Sequence, residues 1–508
     1  VEQSIPMEQQ TKTLKGRFEE LKQYRQPFDN VAERAAELTL PYIFRRDGQE
    51  NTPYELGWQN LGARGVNHLA SKLMLSLFPP TGGFFKFVLD ETVKQSLPPN
   101  AIKNADNYTN IAEAIMLQEL NKLQVRPVLN EAVKHVIITG NVALWFMEDN
   151  LKLYSLKDYV VMRDKAMNLV EIILRETVDF DALPLYIRGW IIKNKIQESS
   201  EDWNFDKGNP QYTIYTGAKL INGTWEMWQE INGVEIEGTR KKVKRLPILV
   251  LRWTNTLYGH GFVEQIMGDL ESLESLSQAL TEGALTAART IFLARPNGMV
   301  DINELISAQN GDIIEGEPED VGVLQMQKYA DFRVALERAL TLEDRLNQMF
   351  LVFSPRDAER VTAEEIRRLT EELESLLGGV YTLLADELQR PLLEILFDRL
   401  LNKGILEEPP NGDIQVVLTS GFEALSRTTN LNKLLTLLQA VMNIPNALQY
   451  INWNEYLNRV VNALNLEPKG LIFSEEELMA KQQALMEMQI QQTAAQEGAK
   501  AALQKQQQ

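Results

Sequence analysis

Two long apolar stripes around a short interruption constrain this chain more than any other feature. Phe262, Ile266, Leu270, Leu273, Leu276, Leu280 and Leu285 repeat at the helical period. They predict a helix from about Gly261 to Leu293, which would be roughly 45–50 Å long at 1.5 Å per residue. A second helix, Tyr329–Leu351, is predicted to return alongside it. The insert between them, Pro296 to about Gln327, has Gly311, Gly316 and Gly322 bounding short strand-like runs. A small β insert between long antiparallel helices makes a protruding tip. From periodicity alone, a helical hairpin within a bundle reads equally well.

The segment Phe353–Arg360 (FSPRDAER) then breaks the period and reads as a polar connector. A third long helix opens at Thr362, where Glu365 three residues on completes a capping box. Its stripe is Ile366, Leu369, Leu373, Leu376, Val380, Leu384 and Leu388; Pro391 must kink or restart it, and Gly404 ends it. A short strand at Gln415–Thr419 and helices at Leu431–Met442 and Trp453–Leu464 follow. The Gln-rich tail from Glu475 is predicted helical if adjacent copies support it.

Upstream, Leu14, Phe18, Leu21 and Tyr24 predict a helix interrupted at Pro27. Further helices are expected near Asn60–Phe78, Ala105–Leu123 and Pro127–Thr139, the last stopped by Gly140. Short strands are expected at Ala143–Met147, Leu151–Tyr154, Tyr159–Arg163 and Val170–Thr177. From Gln211 to Trp253, Asn222–Gly223 and Asn232–Gly233 punctuate Trp/Ile/Val-bearing runs and predict an antiparallel meander.

Composition narrows the function. The 508 residues hold 70 acidic and 52 basic side chains, a net charge of −18. An acidic chain lacks the basic footprint of a general nucleic-acid binder, although that does not exclude a protein that touches DNA briefly and must not hold it. There is no cysteine, hence no disulfide, thiolate metal site or cysteine nucleophile. His68, His135 and His260 are the only histidines, too few for a His-rich metal centre; each reads as structural. No apolar run approaches the roughly 18 residues of a membrane span. Val1–Gln10 is polar without a leader pattern, and the absent initiator Met points to trimming or incomplete coverage there. The expectation is a soluble, acidic protein made inside a cell.

Walker A, HExxH, GxSxG and GxGxxG patterns are absent. Carboxylate pairs do occur, at Glu271 with Glu274, Glu364 with Glu365 and Asp312 with Glu315. A magnesium-dependent DNA-processing enzyme would need such groups to converge; a solvated acidic helix face needs nothing more. A monomeric helical adaptor or scaffold is the other alternative.

Longer runs carry a resemblance. They are WQNLGARGVNHLASKLMLSLFP at Trp58–Pro79, ITGNVALW at Ile138–Trp145 and YGHGFVEQIMGDLESLE at Tyr258–Glu274. NGDIIEGEPEDVGVLQMQKYADF follows at Asn310–Phe332, then ERVTAEEIRRLTEELESLLGGVYTLLADELQRPLLE at Glu359–Glu394 and TSGFEALSR at Thr419–Arg427. In these runs the chain resembles the portal proteins, or head-to-tail connectors, of short-tailed, podovirus-type bacteriophages. The resemblance implies an α+β, mainly α, portal fold in a ring-shaped homo-oligomer of twelve. In that scheme 1–257 is wing, 258–295 stem helix, 296–327 clip and 328–352 the second stem helix. Residues 353–361 are the channel loop, 362–418 a long kinked wing helix, 419–473 crown and 474–508 a barrel helix.

The resemblance further implies a non-enzymatic conduit for DNA packaging and ejection, set at one capsid vertex of the virion and made in the host bacterial cytoplasm. Its partners would be terminase, scaffolding protein, major capsid protein, tail adaptor, internal core proteins and passing double-stranded DNA, with no membrane and no cofactor. Ser354, Pro355, Arg356, Asp357 and Arg360 would lie near DNA, and Glu271, Glu274 and Glu282 would be acidic channel residues. Glu304, Asn310, Asp312 and Glu315 would lie on the clip, facing terminase and tail.

Overall fold

Helix α1, Leu14–Glu37, runs straight through Pro27, where the sequence predicts an interruption. Proline there deletes a single backbone donor, and the packed face outweighs that loss. Leu14, Phe18 and Leu21 are buried as predicted, but Tyr24 is exposed and the buried residue is Arg25. Its Nη1 donates to the carbonyls of Lys157 (3.1 Å) and Tyr159 (2.6 Å), and its Nε donates to Asp29 (2.9 Å). A guanidinium takes the apolar position because there it can satisfy its own buried donors on two strand-entry carbonyls and a carboxylate.

The computed structural model describes residues 13–48, 52–54, 57–79, 84–89, 98–147, 150–196, 210–287, 291–296, 299–309, 311–315, 317–324, 329–352, 377, 379–407, 414–418 and 426–442, with isolated positions 451, 453, 456, 457, 460 and 461. The chain divides into two units, one of Val1–Val361 with Arg368–Leu418, the other of Thr362–Arg367 with Thr419–Gln508.

In the first unit, α2 (Leu61–Leu77), α3 (Pro99–Lys122) and α4 (Val125–Thr139) form as expected. Gly140 ends α4 with φ +75°. Strand β1 (Phe85–Leu89) precedes α3; β2 (Asn141–Phe146), β3 (Leu151–Tyr154), β4 (Tyr159–Arg163) and β5 (Leu169–Asp179) follow α4. The predicted meander is then present as β6 (Gln211–Ile221), β7 (Thr224–Ile231), β8 (Val234–Glu235) and β9 (Lys241–Val243), with β10 at Ile248–Arg252. Its turns are Asn222–Gly223 (φ 49° and 78°) and Asn232–Gly233 (φ 49° and 80°), the positive pair that Asn-Gly tolerates. Strand order is β4-β5-β6-β7-β8 with β9 also on β7; a separate sheet runs β10-β2-β3.

One helix has no counterpart in the sequence reading. α5, Leu185–Asn194, sits between β5 and β6. Its Ile, Tyr and Trp content favours strand, yet Ile187, Trp190 and Ile191 pack on Tyr212, Ile214, Ile231 and Ile236 as a satellite core. Tertiary burial overrides local propensity.

The main core joins α2, α4 and β2 to β5 with the helices that follow. His135 lies inside it; burial pushes its imidazole down to about 4, so it stays neutral. His68 Nε2 meets the Leu351 carbonyl at 3.1 Å, and exposed His260 pairs with Glu264 at 3.0 Å. All three histidines have local roles, as expected. Among the described residues no group of three His, Asp or Glu could hold a metal, and no helix is long and apolar enough to cross a membrane.

Candidate functional site

The helix pair singled out from periodicity is present, with one correction. α6 spans Phe262–Ala287, about 39 Å, and stops short of the predicted Leu293. Ile291–Ala294 is instead strand β11, paired antiparallel with β12 (Val321–Leu324), Ile291 opposite Leu324. The β-branched and aromatic content of that run, with a cross-strand partner available, outweighs the extended helical stripe. The stripe itself is buried from Phe262 to Leu273, half-buried at Leu276 and Leu280, and exposed at Leu285, where it leaves the core.

Between β11 and β12 lie α7 (Ile302–Ser307) and a 3-10 turn at Pro318–Asp320. α8, Tyr329–Met349, returns against α6 as predicted. Gly283 makes that approach possible: a Cβ there would stand 2.3 Å from the Phe332 ring. Arg345 of α8 donates Nε to Asp269 of α6 at 2.8 Å.

The base of the pair is a backbone knot. Gly140, Gly259 and Gly261 pack so closely that a Cβ on any of them would come within 2.4 Å of a carbonyl oxygen. Asn141 joins the two segments: Gly259 donates its N–H to Asn141 Oδ1 and accepts from Nδ2, both at 2.7 Å. Above it Phe262 meets Trp253 and Phe350, with ring centroids 5.9 and 5.7 Å apart. The sequence reading used Gly140 only as a helix stop; the glycines flanking His260 were the available signal for the rest.

The long helix that should follow is described from Leu377. α9 (Gly379–Leu384) widens into a π-turn over Ala385–Gln389 and continues as α10 (Arg390–Asn402). Pro391 sits at the restart and Gly404, φ +67°, follows the end, both as predicted. Glu387 of the π-turn meets Arg252 at 2.8 Å. Burial raises the Glu387 carboxyl above its usual range despite that partner. β13 (Ile414–Leu418) pairs with β1. In the second unit α11 spans Ser426–Met442, starting five residues before the predicted Leu431; Trp453, Tyr456, Leu457, Val460 and Val461 are helical. The Tyr456 hydroxyl donates to the Leu434 carbonyl at 3.1 Å.

α6 carries Glu264, Asp269, Glu271, Glu274 and Glu282 and no lysine or arginine. Glu271 accepts from Arg34 Nε at 2.8 Å; Glu274 accepts the backbone N–H groups of Trp58 (2.7 Å) and Gln59 (3.2 Å). Those two carboxylates anchor the helix to the body. Glu282, exposed, accepts from Gln278 at 2.9 Å and from no other side chain among the described residues. At the tip, Glu304 and Glu315 are exposed, and Asp312 accepts the Gln309 N–H at 2.6 Å. Asn310, Ser354, Pro355, Arg356, Asp357 and Arg360 lie outside the described residues, as do Glu364, Glu365, the start of the third helix and the tail. Among the described residues nothing here assembles a nucleophile, a base and an oxyanion donor. The arrangement is an acidic helical pair, anchored at one end and tipped by a β ribbon at the other.

The family model for bacteriophage head to tail connecting proteins matches residues 11–472. The portal protein of Escherichia phage T7 is 34% identical over 487 residues, covering 91% of this chain and 89% of that one. Those of Enterobacteria phages T3 and SP6 are 32% and 30% identical, over 96% and 94% of this chain and 92% of each relative. The chain belongs to the bacteriophage head-to-tail connecting proteins, the portal proteins of short-tailed phages.

Proposed function

We propose that twelve copies close into a ring at one vertex of the phage head and form the conduit for DNA packaging and ejection. In this reading the chain is structural and not an enzyme. It nucleates head assembly with scaffolding and major capsid proteins, docks terminase, and later holds the tail adaptor, with internal core proteins on the head side. Residues 1–257 serve as wing, α6 and α8 as stem, 296–327 as clip, 353–361 as channel loop, 362–418 as the kinked wing helix, 419–473 as crown and 474–508 as barrel.

The observation that carries the reading is the charge of α6, five carboxylates and no base, on the helix assigned to the stem. Lysine or arginine in that position would neutralise phosphates and add salt-dependent affinity, which opposes sliding. Glu282 is the strongest lining candidate, because Glu271 and Glu274 already serve Arg34 and the Trp58–Gln59 backbone.

Native mass tests it. A ring of twelve 57.9 kDa chains gives about 695 kDa with a central hole by electron microscopy; a stable 58 kDa monomer would refute the reading. Arg356 and Arg360 are proposed to brace DNA as a sparse basic ring. Replacing both by alanine should leave the ring mass unchanged and reduce retention of packaged DNA; unchanged retention would remove that role.

A further inference from the structure

The last turn of α8 closes as a Schellman motif. Leu351 donates its N–H to the Gln348 carbonyl at 3.1 Å, and Val352 donates to the Asn347 carbonyl at 2.8 Å. The first residue past the helix in such a motif turns left-handed, and glycine is its usual occupant. Here it is Leu351, with φ +56°. Among the described residues no other branched aliphatic side chain has a positive φ. A leucine persists in that conformation only where its surroundings over-determine it. Two contacts do so. Its side chain is buried in the main core, 4% exposed. Its carbonyl oxygen accepts from two side chains of α2, Lys72 Nζ at 2.9 Å and His68 Nε2 at 3.1 Å.

These donors belong to a stripe. Arg64, His68 and Lys72 stand four residues apart on α2 and so share a face. Arg64 Nη2 reaches Asn347 Oδ1 at 3.0 Å, on the same closing turn. α8 has no basic residue in its own last turn, so α2 brings cations to the negative end of its dipole. The two helices meet without slack: a Cβ on Gly65 would stand 2.4 Å from the Phe350 ring.

We propose that His68 and Lys72 are positioning residues, a clamp on the Leu351 carbonyl that sets the direction in which the chain leaves α8. The proposal rests on the reading of residues 353–361 as the channel loop, which Leu351 and Val352 directly precede. Leucine in a glycine position makes the exit conditional. With the clamp closed the left-handed turn holds; with it open Leu351 relaxes and the Val352 N–H is released. Glycine would hold the turn either way, because it has no Cβ to strain. The direction of the loop is thereby tied to the contact between α2 and α8.

Hydrogen–deuterium exchange of the full chain, read by mass spectrometry on peptides covering 346–352, tests the clamp. His68→Phe with Lys72→Met should speed exchange of the Leu351 and Val352 amides about tenfold. Lys72→Arg, which keeps a cationic donor, should stay within about twofold of wild type. In a Leu351→Gly background the same double substitution should change exchange less than about twofold. Equal acceleration in the two backgrounds, or none with leucine in place, would overturn the proposal. So would acceleration that spreads to the middle of α8 at Glu337–Thr341, since the pair would then hold the helix and not its exit. Particles carrying the double substitution should also retain less packaged DNA than wild type, and adding Leu351→Gly should restore retention. Unchanged retention would overturn the link to the loop. Native mass of the wild type, measured separately, reports on the ring alone, and a chain that stays single would leave the exchange outcome to stand by itself.

Discussion

Alanine at Gly140 should cost about 3–5 kcal/mol, a larger loss than at any glycine where strain acts alone. Two penalties coincide there. With φ at +75°, an L side chain costs about 1–2 kcal/mol in this left-handed region. The new Cβ would also stand 2.3 Å from the Gly259 carbonyl oxygen and 2.6 Å from the Gly261 nitrogen. Neither atom can retreat easily. Gly259 is held on both its N–H and its C=O by the Asn141 side chain, and the Gly140 carbonyl accepts from the Trp253 N–H at 2.9 Å. Overpacking against such neighbours costs about 1–3 kcal/mol or more. Gly404 is the control: its φ is +67°, but nothing lies within 4 Å of a Cβ there, so alanine should cost only the strain. Urea unfolding of both variants measures the difference, and equal losses at the two positions would show that the knot does not bear on stability. Because α6 leaves the body at Gly261, the Gly140 variant should also reduce the yield of assembled rings.

The same knot marks the boundary of what a sequence discloses. That Gly140 stops a helix is a local matter of φ, and so are the two Asn-Gly turns; all three were legible. That Gly140 must admit Gly259, more than a hundred residues away, is a property of the assembled core, and no local pattern carries it. Arg25 is similar. Its neighbours predicted a buried Tyr24, but the carbonyls of Lys157 and Tyr159, which accept from the guanidinium, decided which side chain turns inward. α5 was illegible because its residues favour strand and only the β6–β7 surface makes them helical. On α6 the acidic residues were plain, but not their partners: Arg34 and the Trp58–Gln59 backbone claim Glu271 and Glu274. Family membership was legible for a different reason. It is carried by runs of twenty and more residues, whose order survives whatever individual side chains do.

Leucine at Arg25 should cost about 3–5 kcal/mol near pH 7.5, the range for breaking a buried charge pair from one side, and less near pH 5. Arg25 is 1% exposed, and its removal takes a donor from the Tyr159 carbonyl and from the Asp29 carboxylate, while the Lys157 carbonyl keeps Arg175 at 3.3 Å. The pH dependence follows from Asp29. Burial already raises its carboxyl above the usual range, with Arg25 the main influence opposing that rise. A raised folded value means that the folded state binds the proton more readily than the unfolded chain. The stability tied to this group is therefore fully present below the unfolded value and is lost as pH climbs through the folded one. Without Arg25 the folded value rises further, so the variant loses more stability across that window than wild type does. Urea midpoints at the two pH values should thus diverge, with the gap between variant and wild type wider at pH 7.5. Adding Asp29→Asn to Arg25→Leu should flatten the difference, since the titrating group is gone. A loss independent of pH in the single variant would mean that Asp29 finds water once Arg25 is removed, and that the carbonyls of Lys157 and Tyr159 are what the guanidinium chiefly serves.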